Sequence, residues 1–250
     1  MAQTASGNPG VELSEQSLQT IADLRQQAFD ASRAGDFAAA ETYWSQLLDF
    51  LPNEAAIWSN RGNARVGQNN LEAAIADYDK AIELAPNVPD PYLNRGAALE
   101  GLGRWEAAIS DYNQLLTLDP NDASGYNNRG NAEAGQGHWE AALADYNQAI
   151  KLAPMFALAQ INRALALYQL GQTQDAVRSM RNLARRYPQF ADARAALTAA
   201  LWDQGQAGEA ESNWVAVVGL DSRYQDLNWV QTVRRWPPTM VSALEQFLKL

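Results

Sequence analysis

Five prolines recur along this chain at a constant spacing of 34 residues. They are Pro52, Pro86, Pro120, Pro154 and Pro188. Each proline follows an apolar pattern of helical periodicity, and because proline cannot continue a helix, it predicts a helix end at each place. A period of this length over most of a chain is typical of an array of short structural repeats, which excludes most other folds.

Two helices fit into each interval. In the first helix an aromatic residue is followed four positions later by glycine, as at Trp58 and Gly62. A turn residue suited to positive φ comes next, and Asn69 stands there where the other intervals have glycine. The second helix carries an alanine in all six intervals, because only a small side chain fits where two helices cross closely. These alanines are Ala40, Ala74, Ala108, Ala142, Ala176 and Ala210.

The period, the order of the helices and these positions resemble the tetratricopeptide repeat. The resemblance implies an all-α fold: a right-handed α-solenoid of six stacked helix-turn-helix repeats with a C-terminal capping helical segment. Repeat five departs from the pattern at Gln160 and Ala164, and repeat six has Ser222 in place of the closing proline. The predicted domains are a disordered leader at 1–13, the solenoid at 14–224 and capping helices at 225–250. The predicted repeats are 21–54, 55–88, 89–122, 123–156, 157–190 and 191–224.

The tail after Tyr224 is expected to cover repeat six, since a terminal repeat has no further neighbour to bury its apolar face. A helix is predicted from Asp226 to Trp236, followed by a break at the two prolines that come next. Thr239 is expected to cap a last helix. The apolar residues of that helix are Val241, Leu244, Phe247 and Leu248.

Composition excludes several classes of function. The chain is 47% hydrophobic, has no cysteine and has one histidine, so it is folded and lacks the ligands of a thiolate or multi-histidine metal site. A net charge of −10 argues against nucleic-acid binding. The charge is uneven: residues 1–156 hold 9 basic and 21 acidic side chains, and residues 157–250 hold 10 basic and 8 acidic ones. No apolar run is long enough for a transmembrane helix, and no signal peptide is evident, although a presequence removed before residue 1 is compatible with the first residues.

Asparagines form the first set of candidate binding residues. In the tetratricopeptide fold the first helices line a concave groove, and residues on the face away from the second helices point into it. An asparagine amide both donates and accepts, so it can pair with the backbone of an extended peptide. The alternative is that these amides bridge adjacent helices within the array. The candidate groove residues are Asn60, Asn63, Asn94, Asn128, Asn131 and Asn162.

An arginine directly follows four of these asparagines, and in three repeats the second helix carries an aspartate 16 positions later. Repeats one and six have neither residue, so the two occur together, as expected of a salt bridge between helices. Arg163 breaks the rule because it faces Ser179, and we expect it to be available for a partner. The matched pairs are Arg61 with Asp77, Arg95 with Asp111 and Arg129 with Asp145.

A basic patch is predicted on the second helix of repeat five, and Arg194, Arg234 and Arg235 are expected to extend it. Such a patch would dock an acidic protein surface or anionic lipid headgroups, with salt-sensitive affinity. The alternative is an ordinary solvated helix face. The patch consists of Arg178, Arg181, Arg185 and Arg186.

Catalysis finds no support in the sequence, and no cofactor is expected. A nucleophile requires an adjacent base and an orienting group, whereas His138 lies alone in a turn. Some tetratricopeptide co-chaperones clamp a chaperone's terminal carboxylate with lysine and arginine. Here the matching positions hold Ser59, Leu93 and Asn127, so this clamp is not expected.

The sequence therefore predicts a non-catalytic scaffold that binds a protein or peptide in its groove. Residues 228–250 resemble the tails of tetratricopeptide proteins from cyanobacteria and chloroplasts, including ones assigned to the thylakoid lumen. This resemblance implies an assembly or docking factor for a photosynthetic complex, in peripheral contact with a membrane complex. It also implies the thylakoid lumen or another soluble chloroplast or cyanobacterial compartment, with the cytoplasm as the alternative. The alternative function is a regulatory peptide-sensing domain or a co-chaperone.

Overall fold

The computed structural model describes residues 14–249, which fold into two compact units. The first unit ends at Pro120 and the second begins at Asn121. Within the described range every regular element is helical, and none of these helices is both long and apolar enough to cross a membrane. The predicted leader at 1–13 lies outside the described residues.

In the first unit each helix packs against the next in chain order. The Ser14 hydroxyl accepts a hydrogen bond from the backbone N–H of Ser17 and caps the first helix, as its position before a glutamate predicts. The helices are α1 (Glu15–Ala34), α2 (Phe37–Phe50), α3 (Ala55–Gly67), α4 (Leu71–Leu84), α5 (Asp90–Gly101) and α6 (Trp105–Leu118).

The second unit continues the same pattern of helices packed in sequence and adds a C-terminal segment. A short 3-10 helix at Ser222–Gln225 connects the last hairpin to that segment. The α-helices are α7 (Ala123–Gly135), α8 (Trp139–Leu152), α9 (Ala157–Gln169), α10 (Thr173–Arg186), α11 (Ala191–Asp203), α12 (Ala207–Leu220), α13 (Leu227–Thr232) and α14 (Pro238–Leu248).

The turn of each of the six hairpins contains one residue of positive φ, from 59° at Asn69 to 82° at Gly137. Asn69 adopts the left-handed conformation that is predicted from the glycines at the same position of the other repeats. The alanine near the start of each second helix is 0% exposed in all six hairpins, as expected where two helices cross closely.

In repeats two, three and four the glycine of the first helix lies against the tyrosine ring of the second helix. A Cβ at Gly130 would lie 2.8 Å from Cε1 of Tyr146, which is too close for a larger residue. Repeat five has Ala164 and Met180 at these two places, both 0% exposed. In repeat five the methyl group of Ala164 replaces the hydrogen of glycine, and the flexible thioether of Met180 replaces the rigid tyrosine ring. Met180 thus compensates for the larger residue on the facing helix.

The C-terminal segment contains less helix than the sequence predicts. Helix α13 ends at Thr232, and Arg235 takes a φ of 55°. The backbone N–H of Trp236 donates to the carbonyl of Val230 at 3.2 Å, so the chain turns back on itself. The predicted helix from Asp226 to Trp236 is therefore wrong in its second half, because Trp236 is drawn into the core, where it is 3% exposed.

Thr239 does not cap the last helix, contrary to prediction. Helix α14 begins at Pro238, and proline suits the first helical position because that position needs no hydrogen-bond donor. The hydroxyl of Thr239 instead donates to Oε1 of Gln169 at 2.7 Å. This contact ties α14 to α9, the first helix of repeat five.

The tail packs on α11 and, to a smaller extent, on α9. Its apolar residues Met240, Leu244 and Phe247 are buried, and the Phe247 ring contacts Trp202 and Trp214 edge to face, with centroids 5.5 and 5.2 Å away. The tail thus covers repeat six and also reaches repeat five.

Asp192 anchors the tail from within the core. It is 4% exposed, accepts from the Tyr224 hydroxyl at 2.7 Å and from Trp236 Nε1 at 3.0 Å, and forms an ion pair with Arg234. Arg194 also turns inward, and its Nε donates to the carbonyl of Pro188 at 2.9 Å. The expectation that Arg234 extends the basic patch is therefore wrong, since Asp192 pairs with its charge. Arg194 is half-buried and Arg235 is exposed.

Candidate functional site

Two half-buried asparagines in the first unit carry side-chain amides that form no hydrogen bond with any described residue. They are Asn60 on α3 and Asn94 on α5, one repeat apart and both half-buried. Asn63 lies one turn after Asn60, but its Oδ1 accepts from the Tyr78 hydroxyl at 2.7 Å. The fold engages the Oδ1 of Asn63 and leaves its Nδ2 donor without a hydrogen bond to a described residue, whereas Asn60 and Asn94 keep their full hydrogen-bonding capacity.

Four asparagines of α7 and α9 are linked by hydrogen bonds between their side chains. Nδ2 of Asn162 donates to Oδ1 of Asn127 and to Oδ1 of Asn131, both at 3.0 Å. Asn131 also accepts from the Tyr146 hydroxyl at 3.0 Å, and Nδ2 of Asn127 donates to Oδ1 of Asn128 at 3.2 Å. These amides form the interhelical bridge that was the alternative interpretation. Asn127, which is 4% exposed, was not predicted to take part, and its position beside Asn128 was the only signal.

Repeat six presents no amide on this face. Ala196 and Ala199 occupy the places that asparagines hold in repeat four, and both are 0% exposed. They share a core with Met240 and Leu244 of α14. The tail therefore occupies the surface that earlier repeats leave available.

The three predicted arginine–aspartate pairs all form, each through two N–H donors at 2.6–3.0 Å. The aspartates are buried, and each guanidinium lies 4.7–5.9 Å from the ring of the aromatic residue three positions earlier. Hydrogen bonds to Asp111 raise the pKa of Arg95 above its ordinary value. The interpretation of these pairs as structural is confirmed. The pairs are Arg61 with Asp77, Arg95 with Asp111 and Arg129 with Asp145.

Arg163 has a partner, contrary to prediction, but the partner is neutral. Its Nε donates to Oδ1 of Asn147 on α8 at 2.6 Å. Ser179, at the aspartate position, donates instead to the carbonyl of Asp175 at 2.8 Å on its own helix. Among the described residues no carboxylate forms an ion pair with Arg163, so its charge is not neutralised locally.

A cleft of about 480 Å³ opens beside Arg163, between α8, α9 and α10. Gln160 replaces the aromatic residue of repeats two to four, and its Nε2 donates to the carbonyl of Pro154 at 2.6 Å. Trp58 makes the equivalent bond to Pro52, so Gln160 keeps this hydrogen bond without supplying a ring. No aspartate or glutamate lines the cleft. Its polar lining consists of Asn147, Gln160, Arg163, Ser179, Asn182 and Arg186.

The four arginines of the predicted basic patch differ in their contacts. Arg178 lies 3.4 Å from Asp175, and Arg181 binds Glu209 through two donors at 2.9 Å. Arg185 is exposed. Arg186 lies against the sulfur of Met155 and lines the cleft next to Arg163. Carboxylates therefore offset half of the predicted patch.

The described residues contain no cluster of three or more histidine, aspartate and glutamate side chains that could hold a metal ion. His138 is exposed, and its Nδ1 lies 2.9 Å from Glu133. At the carboxylate-clamp positions Ser59 and Leu93 are half-buried and Asn127 is buried in the amide bridge. These positions supply no cation for a carboxylate.

Two family models match the chain. One, described as TPR repeat, matches residues 62–103, 101–137 and 130–171, and the other, described as tetratricopeptide repeat, matches residues 161–218. A search of curated protein sequences gave no match.

Solved structures with this architecture are similar to the chain at low sequence identity. A tetratricopeptide repeat protein from Parabacteroides merdae has 19% identity and a TM-score of 0.70, with 92% of this chain and 86% of that chain covered. MamA from Desulfovibrio magneticus has 18% identity and a TM-score of 0.62, covering 66% and 94%. YrrB, described as a TPR protein with an unusual peptide-binding site, has 17% identity and a TM-score of 0.57, covering 77% and 97%. These likenesses concern the fold, and the predicted all-α architecture of helix-turn-helix repeats is confirmed.

Proposed function

Because the chain belongs to the tetratricopeptide repeat family, we propose that it is a non-catalytic scaffold that binds a segment of a partner protein along its first helices. One observation carries this proposal: Asn60 and Asn94 are half-buried, lie on the first helices of successive repeats, and have side chains with no hydrogen bond to a described residue. Each amide offers one acceptor and two donors, the groups that an extended peptide backbone requires.

The amides of the second unit contribute less to this surface, because Asn131 and Asn162 are bound to each other. Asn128 accepts from Asn127 but its own Nδ2 makes no hydrogen bond with a described residue, so it keeps its donor. We therefore assign the main contact with the partner to Asn60 and Asn94. Asn128 takes a secondary role.

A narrower role, as an assembly or docking factor for a photosynthetic complex, rests only on the likeness of residues 228–250 to cyanobacterial and chloroplast tails. Much of that segment is core: Val230, Trp236, Met240 and Leu244 are at most 3% exposed. A likeness in buried residues supports a shared way of closing the repeat array. The narrower role therefore requires a partner from such a complex to be captured directly.

The test is affinity purification from a native lysate of the source organism, with mass spectrometry of the captured proteins. The wild-type chain is compared with Asn60→Ala/Asn94→Ala. Gln114→Ala, an exposed change on the second helix α6, serves as a matched control. We expect the double variant to lose roughly tenfold or more in affinity for the captured partner, as for the loss of two hydrogen bonds. Its helicity and melting temperature should stay close to wild type.

Two results would contradict the proposal. One is unchanged capture by the double variant. The other is a large fall in its melting temperature, which would mean that both amides are structural. A scaffold should co-purify with a complex of several proteins. A peptide sensor should instead bind an isolated peptide of its partner with the same affinity as it binds the whole partner.

A further inference from the structure

Repeat five lacks a carboxylate that repeats two, three and four supply from within the chain. We propose that the cleft beside Arg163 binds the side-chain carboxylate of an aspartate or glutamate from a partner polypeptide. That carboxylate neutralises Arg163 as Asp145 neutralises Arg129 in the preceding repeat. The inference rests on the proposed function in requiring a protein partner, but the cleft lies on other helices than Asn60 and Asn94.

Three substitutions around Arg163 act in the same direction. Ser179 replaces the aspartate and removes a negative charge. Gln160 replaces the aromatic residue and removes the ring next to the guanidinium. Arg186 replaces the leucine found in repeats two to four and adds a positive charge to the cleft. The change converts an internally neutralised arginine into an open, positively charged cleft.

The donors of Arg163 are arranged for an external ligand. In repeat four, Nε and one terminal nitrogen of Arg129 bind the same aspartate. In repeat five, Nε binds Asn147, and neither terminal nitrogen has a hydrogen bond to a described residue. Two parallel N–H groups at the end of a guanidinium match the two oxygens of a carboxylate.

The surroundings of Arg163 leave space for that group. The Ser179 hydroxyl is directed to the carbonyl of Asp175 on its own helix, so it does not bind the guanidinium. Asn182 makes no side-chain hydrogen bond to a described residue and lines the same cleft, where its amide can donate. A carboxylate is favoured over other anions because, in three other repeats, the chain itself places a carboxylate against the arginine at the equivalent position.

The proposal is tested by nuclear magnetic resonance on the full chain, which follows the side-chain Nε–Hε signals of arginine. N-acetyl-aspartyl amide, which carries a single carboxylate, is titrated in at low salt. We expect a saturable shift of the Arg163 signal in the millimolar range. The Arg129 signal, already bound to Asp145, should stay in place as an internal control. Absence of a saturable shift at Arg163 would overturn the proposal.

Two substitutions at one position sharpen the test. Ser179→Asp supplies the missing carboxylate internally and should reduce affinity for the probe roughly tenfold or more, as for the loss of a charge-assisted hydrogen bond. Ser179→Ala should bind like wild type. Unchanged binding by Ser179→Asp would contradict the assigned position.

If inorganic phosphate shifts the Arg163 signal at a roughly tenfold lower concentration than the probe, the assignment to a carboxylate is wrong. None of these outcomes depends on the amides of the first unit, so the two proposals fail separately.

Discussion

Repeats four and five lie next to each other in the same unit and use one backbone plan for different purposes. Both carry the first-helix arginine, but Arg129 is bound to the buried Asp145, whereas Arg163 has only the neutral Asn147. The hairpin contact differs too, with Gly130 against Tyr146 in one repeat and Ala164 with Met180 in the other. Where the second helix keeps its aspartate, the arginine holds the two helices of the hairpin together. Where Ser179 replaces that aspartate, both terminal nitrogens of the arginine lack a hydrogen bond to a described residue.

The largest expected effect tests the ion pair of repeat four. Asp145→Ala leaves Arg129, whose side chain is 25% exposed, without its carboxylate. We expect the free energy of unfolding of the second unit to fall by about 3 kcal/mol, at the lower end for breaking a buried pair because the arginine retains some hydration. Urea denaturation followed by circular dichroism measures this change.

The matched change in repeat five is Ser179→Ala, which removes no charge from a pair. We expect it to alter the free energy of unfolding by less than about 0.5 kcal/mol, as for most surface substitutions. Equal losses in the two repeats would show that the arginine environments do not differ in the way described.

The second effect tests the hairpin contact. Gly130→Ala places a methyl group 2.8 Å from Tyr146 and should cost about 1–3 kcal/mol by overpacking. Adding Tyr146→Met reproduces the combination found in repeat five and should recover part of that loss. A double-mutant cycle measured by thermal denaturation gives the coupling. Strictly additive losses would refute the claim that Ala164 and Met180 compensate each other.

The smallest effect concerns a partly exposed ion pair between Arg181 of repeat five and Glu209 of repeat six. Hydrogen bonds from Arg181 lower the pKa of Glu209 below its ordinary 4.5. Since the folded-state pKa is depressed, the pair stabilises the protein above about pH 4.5, and this stabilisation is lost as pH falls through the folded-state pKa. The side chains are 30% and 42% exposed, so we expect no more than about 1 kcal/mol.

Comparison of wild type with Glu209→Gln between pH 7 and pH 3 measures this contribution. The difference in the free energy of unfolding should be constant near neutral pH and disappear in acid. A difference that persists at pH 3 would mean that Glu209 acts through packing and not through its charge.

Much of the structural role of individual residues was predictable from comparing the repeats with one another. The arginines and aspartates occur together, and this correlation correctly predicted three ion pairs. Asn63 and Asn131 were placed on the binding face from helical spacing alone. Spacing does not reveal that a tyrosine hydroxyl from the second helix reaches each of them.

The sequence by itself determined the helical hairpins, their turns and their tight crossings. These depend on interactions close along the chain: the left-handed turn residue recurs in all six hairpins, and the glycine opposite a tyrosine ring recurs in repeats two, three and four. Only the tertiary structure decided which asparagines remain available and where the tail lies. Asn162 bonds to residues 31 and 35 positions earlier, and Thr239 bonds to a residue 70 positions earlier. Such contacts depend on how helices distant in sequence are brought together, and no local pattern encodes them.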